Sequence, residues 1–444
     1  MKRAESWASR GALGSLLALI LGACGAGDAA QSTDQVNVNL FGTLLGKSDA
    51  EVDVKVSSAV GRFFGIGTDE PNELIVESGY RCYYELPQDS SLGFIWAADS
   101  NDVRSEGMSY GMMIAVQADL REQFDRLWKF TKTYLQFPAD SELGAWRHYF
   151  RWQGTVNTTD PSSWAVNYNP TTVPAPDGDE YFTAALFLAH RRWGSEGGIN
   201  YLAEAQEVAS ALLRNPTVEG NTDAMIPPRF PIIHPTENMV TFVPVGTAND
   251  FSDPSYHLPA FYDLFARDGV AADRAAWASV SETSRQYLVR SAHPVTGLHP
   301  DYATFSGVPV PGNNNQMQMH DQFRYDAWRV VMNMAVDYAW FSKDDRMKQQ
   351  IEKYHGFFAD QLTENNVQNQ LFFVDGSNPS GGGSTALTAT LAAGSLASEH
   401  PARERFVSNL WNVSQQQGQY RYYQEGVYLL GLLNTAGRFR YSWP

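Results

Sequence analysis

Apolar residues recur along this chain at three- and four-residue spacing far more often than they alternate, the pattern of helices that each bury one stripe. From about residue 46 onward that spacing predicts helices over 48–64, 105–118, 120–135, 179–194, 198–214 and 254–268. Six more are expected over 272–291, 324–342, 343–363, 384–397, 401–414 and 420–434, making twelve. The connections alternate in length. Those entering the even-numbered helices are long, at 65–104, 136–178, 215–253, 292–323 and 364–383, whereas those leaving them have only a few residues. Short turns make antiparallel hairpins, so all even-numbered helices can run parallel, with every long segment at their N-terminal end. The pattern predicts an all-α double ring, six helices inside and six outside, as a single domain over 46–444.

Long irregular segments in a compact domain usually carry function. Here they hold Trp96, Trp146, Tyr149, Phe150, Trp152, Trp164 and Tyr168, and flat aromatic faces suit the C–H faces of sugar rings. The competing expectation is that these rings pack the loops onto the helices. Four short motifs fall at the starts of successive even-numbered helices: Ser105-Glu106-Gly107-Met108-Ser109-Tyr110-Gly111, Ala175-Pro176-Asp177-Gly178-Asp179-Glu180-Tyr181, Asp253-Pro254-Ser255-Tyr256, and Arg324-Tyr325-Asp326-Ala327-Trp328-Arg329. Steps of 71, 79 and 70 residues separate Glu106, Asp177, Tyr256 and Asp326, each about one helical hairpin plus a long loop. The ring would bring all four to one cleft.

Each motif also has a purely structural reading. Asp177 with Glu180 matches a helix cap and capping box, and Asp253-Pro254 a cap followed by proline in the first turn. Coincidence of four such motifs at one rim favours chemistry. Paired carboxylates in an aromatic cleft point to glycoside hydrolysis, in which one acid protonates the leaving oxygen and the other handles water or the sugar carbon. Calcium at Asp177-Gly178-Asp179-Glu180 is the weaker alternative, since the twelve-residue loop spacing is missing. The nine histidines show no ligand spacing, so neither metal nor cofactor is expected.

Charge narrows the partners. With 33 Lys+Arg against 49 Asp+Glu the net charge is −16, and without a basic cluster nucleic acid is excluded as a partner. Two cysteines rule out a disulfide scaffold, and Cys82 reads as an idle or buried thiol. Lys2, Arg3 and Arg10 precede the apolar run Leu13–Leu21, which ends in Gly22-Ala23-Cys24. This is an export signal too short to span a bilayer comfortably, and Leu21-Gly22-Ala23-Cys24 resembles a bacterial lipoprotein box. The expected layout is a signal at 1–23, lipidation at Cys24, and a flexible tether at 24–45. The protein would touch a membrane only through that anchor, on the periplasmic or cell-surface side, as a monomer.

Taken together, the four motifs resemble glycoside hydrolase family 8, over roughly residues 65–435. The resemblance implies an (α/α)6 barrel, inversion of anomeric configuration and no metal. It also implies Glu106 as general acid, Asp326 as general base, Asp177 as the carboxylate that holds the central sugar, and Tyr256 as the hydroxyl that places water. Arg329 is implied as a substrate-side partner of the base, with Tyr422 and Tyr423 as cleft contacts, and Trp152, from the loop aromatics, is a further candidate for substrate binding. Pro176 departs from the Ser or Thr that many members carry there. The wording of the motifs is most similar to xylan-active members, including enzymes that release xylose from reducing ends. Endoglucanase or chitosanase activity is the alternative within the family, and a non-catalytic glycan-binding lipoprotein the alternative outside it. An inverting pair should stand roughly 6.5–9.5 Å apart, leaving room for water.

Overall fold

A computed structural model describes residues 38–138, 144–169, 171–222, 225–311, 319–342 and 344–443, all within one compact unit, Gln35–Pro444. The signal and Cys24 lie outside the described residues. Thirteen α-helices appear among them: α1 Leu40–Leu45, α2 Asp49–Phe64, α3 Ser105–Ala118, α4 Arg121–Phe130, α5 Pro176–Trp193, α6 Tyr201–Arg214, α7 Pro259–Asp268, α8 Arg274–Arg290, α9 Val330–Asp337, α10 Asp345–Phe358, α11 Thr385–Gly394, α12 Arg403–Asn412 and α13 Arg421–Thr435. All twelve expected helices are present. The extra one, α1, corrects the expected tether to residue 45: Leu40 and Phe41 are fully buried, and the Asn39 side chain caps the turn by accepting from the Gly42 amide. A tether cannot contain two residues that prefer the core this strongly.

Two kinds of helix alternate. α4 buries only Phe124, Leu127, Trp128 and Phe130 and leaves its charged residues outward. By contrast α11 is buried throughout, and α3, α5 and α13 nearly so, as helices hydrophobic all round must be. These buried helices touch in chain order, α3 to α5, α7, α9, α11 and α13, and α13 touches α3 again. Small residues set the closest approach. A Cβ on Gly431 of α13 would stand 2.6 Å from the Ala389 carbonyl oxygen of α11. Side-chain caps do not divide the two kinds: Ser48 caps α2, Asn200 α6, Asp344 α10 and Ser384 the buried α11, whereas α3, α4 and α5 start without one.

Short strands occupy the long connections and were not expected from the sequence. They form four small sheets: Tyr83–Leu86 with Asp89–Ile95, Val103–Arg104 with Gln153–Asn157 and Ala165–Asn167, Ile233–His234 with Met239–Val240, and Phe251–Ser252 with Ala303–Thr304. Each is too brief to show alternation above its surroundings. The last pair matters for position, because it joins the segments that lead into α7 and α9. A second tie comes from Arg421, which is almost wholly buried. Its guanidinium donates to the carbonyls of Ile75, Val76, Arg81 and Gly418, pinning the segment before the first strand to the start of α13. Removing it strands several buried carbonyls at once. Arg421→Met is expected to lower stability by about 3–5 kcal/mol, read as a drop in the urea midpoint.

Candidate active site

The starts of the buried helices converge on one side chain, Arg329. It lies in the single 3-10 turn Ala327–Arg329 that opens α9, and it is almost completely buried. Nη1 donates to Glu106 Oε2 at 3.1 Å, Asp177 Oδ2 at 2.9 Å and Tyr110 Oη at 2.7 Å. Nη2 donates to Ser255 Oγ at 2.7 Å and Asp326 Oδ1 at 3.0 Å, with Asp253 Oδ2 a further 3.8 Å away. Glu106 and Tyr110 come from the first two turns of α3, Asp177 from the first turn of α5, and Ser255 from the turn before α7. One planar fork, with donors fixed in direction, therefore sets the relative positions of three carboxylates.

Exposure separates their tasks. The side chains of Arg329 and Asp177 are 3% and 6% exposed, those of Glu106 and Asp326 17% and 29%. Glu106 and Asp326 thus look outward above a buried cation and its buried partner. The second oxygen of Glu106, Oε1, accepts from the Tyr422 hydroxyl at 3.0 Å. That ring needs the space left by Gly107, where a Cβ would stand 2.3 Å from Tyr422 Cε2.

Burial pushes the Glu106 carboxyl up to about 7. Arg329 opposes the shift, while Asp177 and Asp326 add to it. A helix start favours the anion, yet here desolvation and like charge outweigh both dipole and guanidinium. Asp177 is also raised, again first by burial and against the pull of Arg329. One guanidinium cannot neutralise several close carboxylates, so the cluster holds protons. Two further buried acids flank it. Asp253 caps the Ser255 amide at 2.6 Å, and Asp301 accepts from the Ala327 amide at 3.1 Å, with its carboxyl pushed up to about 6, chiefly by burial.

The expected residues fall into groups. Glu106, Asp177, Asp326 and Arg329 meet, as their spacing implied, and Tyr256 borders them, its ring 5.7 Å from the Arg329 guanidinium carbon. Arg329 itself lies beneath the carboxylates and bridges all three, a wider part than partnering the base on the substrate side. Asp177 is not a helix cap: Ala175 holds that position, Asp177 accepts from the Gly178 amide, and Glu180 points elsewhere. The capping expectation for Asp253 does hold, but over a 3-10 turn, Pro254–Tyr256, because α7 begins only at Pro259. The calcium alternative loses its geometry, since Asp177, Asp179 and Glu180 bind Arg329, the Phe150 amide and Tyr262 respectively.

Of the loop aromatics, Trp96, Trp146, Tyr149, Phe150 and Trp164 are core. Trp152 is partly exposed, its backbone bonded to Ser105, the first residue of α3, and to Val173, just before α5. Tyr168 is exposed, its ring lying 4.0 Å from the Arg151 guanidinium carbon. Tyr423 turns its hydroxyl to the Tyr325 carbonyl at 2.6 Å. Sequence reasoning missed Tyr110 and Ser255, although both stood inside the quoted motifs; Tyr110 lies one helical turn from Glu106, and that spacing was the available signal.

Paired carboxylates of unequal burial, bridged by one cation beneath a partly exposed aromatic rim, are the equipment of a glycosidase. The model of glycosyl hydrolases family 8 matches residues 94–437, and the chain belongs to that family. It is 38% identical over 368 residues to the reducing-end xylose-releasing exo-oligoxylanase Rex8A of Paenibacillus barcinonensis, covering 81% of this chain and 87% of that one. The reducing end xylose-releasing exo-oligoxylanase of Halalkalibacterium halodurans is 35% identical over 413 residues, 91% of this chain and 94% of the other. A solved catalytic mutant of a family 8 xylanase from Teredinibacter turnerae, in complex with xylohexaose, superposes with a TM-score of 0.79 at 36% identity, covering 91% of this chain and 97% of that one.

A carboxyl that holds its proton to about pH 7 makes stability depend on pH. Between the ordinary carboxyl value of 4.5 and about 7 the folded protein keeps a proton on Glu106 that the unfolded chain has lost. Stability therefore falls as pH rises through that window. Glu106→Gln removes the part of that dependence carried by Glu106 and leaves the part carried by Asp301. Its melting temperature is expected to exceed that of the native protein above pH 7, by the equivalent of at most about 3 kcal/mol, and the gap should shrink on acidification.

Proposed function

We propose that this chain is an inverting glycosidase on an (α/α)6 barrel that acts on β-1,4-linked xylo-oligosaccharides and releases xylose from their reducing ends. The observation that carries the chemistry is the single guanidinium shared by Glu106, Asp177 and Asp326. In the reaction, Glu106 gives its proton to the glycosidic oxygen as the bond from that oxygen to C1 breaks. Asp326 takes a proton from water, whose oxygen bonds to C1 from the opposite face. Bridging through one guanidinium caps the distance between Glu106 Oε2 and Asp326 Oδ1 at about 8.5 Å, below the upper limit of the roughly 6.5–9.5 Å that an intervening water needs. Asp177, anchored from below, faces the sugar between them, and the Tyr256 hydroxyl helps to place the water. Trp152 and Tyr423 line the sugar's path. No cofactor enters this scheme.

Xylan as the substrate class, and reducing-end release as the mode, rest on the names of the two curated relatives, each at least 35% identical over more than four fifths of this chain. Endo-acting xylanase activity is the second reading, favoured by the likeness to the Teredinibacter xylanase. Xylohexaose labelled at its reducing end separates them: xylose carrying the label appears first in the exo reading, and a spread of shorter labelled oligomers in the other. Proton NMR of the reducing end newly formed at the attacked C1 should show the α-anomer first, and the β-anomer at that end would end the inverting assignment. Glu106→Gln is expected to lower kcat/KM on xylohexaose by about 10²–10⁴-fold, with much smaller loss on aryl xylosides whose leaving group needs no proton. In the native enzyme kcat/KM should decline as pH rises through about 7, where Glu106 loses its proton.

The proposal extends to location: export, with anchoring through a lipid on Cys24, and action as a monomer. The basic start, the apolar run and the Leu21-Gly22-Ala23-Cys24 box support it. All the side chains that meet at Arg329 come from one chain. Labelled palmitate should enter the native protein and not Cys24→Ser, which should leave the membrane fraction.

A further inference from the structure

One buried acid beside the site takes no part in the chemistry above. Glu180 lies on α5 three residues beyond Asp177 and is completely buried. Its Oε1 is 2.5 Å from the Tyr262 hydroxyl, and the same hydroxyl lies 3.1 Å from the backbone carbonyl of Tyr256. A carbonyl can only accept, and a tyrosine hydroxyl has one hydrogen to give. Both contacts are satisfied together only if Tyr262 gives that hydrogen to the Tyr256 carbonyl and receives another from Glu180. A carboxylate has none to give.

We propose that Glu180 is a positioning residue which acts as an un-ionised carboxylic acid, holding the backbone of Tyr256 through Tyr262. It rests on the reading of Tyr256 as the hydroxyl that places the attacking water. Independent features agree. The other oxygen, Oε2, is buried without a hydrogen-bond partner, a poor place for an anion and a tolerable one for a neutral acid. Burial drives the Glu180 carboxyl well above its ordinary range, and Asp177 and Asp179 on the same helix push the same way, opposed by the Tyr262 hydroxyl bond. Tyr262 cannot swing aside, because its ring stacks on Trp277 with centroids 5.5 Å apart.

The geometry gives the tie a purpose. Ser255, one residue earlier, is held by Arg329 at its hydroxyl and by Asn333 at its carbonyl. The Tyr256 carbonyl is held by Tyr262. Glu180 and Asp177 share a helix, so the link fixes the water-placing hydroxyl against the carboxylate that grips the sugar. A relay of this kind aligns groups and transfers no proton during turnover.

Kinetics on xylohexaose with Glu180→Gln, Glu180→Ala, Tyr262→Phe, Tyr256→Phe and the Glu180→Ala/Tyr256→Phe double variant test this. The glutamine amide can donate to Tyr262 as the acid does, so Glu180→Gln should retain kcat within about twofold. Glu180→Ala and Tyr262→Phe should each lose about tenfold or more in kcat with KM little changed. In the Tyr256→Phe background, Glu180→Ala should cost less than about twofold more, because its effect runs through Tyr256. The infrared band of a protonated carboxyl at neutral pH should weaken in Glu180→Gln. A Glu180→Gln as damaged as Glu180→Ala, or an unchanged band, overturns the neutral-acid role. Losses that simply multiply in the double variant overturn the tie to Tyr256 while leaving the proposed reaction standing. Full activity in Tyr256→Phe overturns the water-placing reading itself, and the inference with it. Thermal melts accompany each variant, and if Glu180→Ala does not fold, the glutamine and Tyr262→Phe arms still decide.

Discussion

A buried guanidinium among carboxylates is the constraint on which this molecule turns. Taking Arg329 out of water is costly, and the cost is met only because every direction of its fork ends on an acceptor. Those acceptors belong to the starts of two buried helices, α3 and α5, and to the residues just before two more, α7 and α9. The same contacts that compensate the cation therefore set the register of the helices around it. Packing alone leaves such helices free to slide by fractions of a turn. A planar donor with fixed angles does not.

The same arrangement decides which acid keeps its proton. Helix starts and a nearby cation both favour ionisation, and either would make Glu106 an ordinary carboxylate. Burial and two neighbouring acids win, and Glu106 holds its proton up to about 7. Asp326, on the other nitrogen of the guanidinium, retains more exposure to solvent. Equal chemistry at the two positions is thus separated by surroundings, the condition for one acid to give a proton while the other takes one.

Much of this was legible in the sequence, and the parts that were not share a cause. Helices of strong period survive translation from sequence to structure, and the long-short alternation of connections foretold which helix ends would meet. Glu106, Asp177, Asp326 and Arg329 could be named because each sits in a short motif at such an end. What stayed hidden depended on contacts between distant segments. Nothing local marks Tyr422 as the partner of Glu106, or Asp301 as the acceptor for Ala327. Most loop aromatics proved to be core, because a tryptophan in a loop reads the same whether it faces sugar or its own scaffold. Leu40 and Phe41 lay in a stretch whose composition suggested a tether, and two apolar residues were too few to announce a helix.

The join between Tyr422 and Glu106 spans 316 residues, and that between Arg421 and Ile75 spans 346. During synthesis, α3 therefore waits for α13 with one flank uncovered, an arrangement of high contact order that folds slowly and exposes apolar surface meanwhile. Until α13 docks, Glu106 also lacks the Tyr422 side of its burial. A chain that still lacks α13 lacks the Tyr422 hydroxyl that bonds Glu106 and the ring that fills the space beside Gly107. The side chain that completes the surroundings of this acid is translated 316 residues after the acid itself.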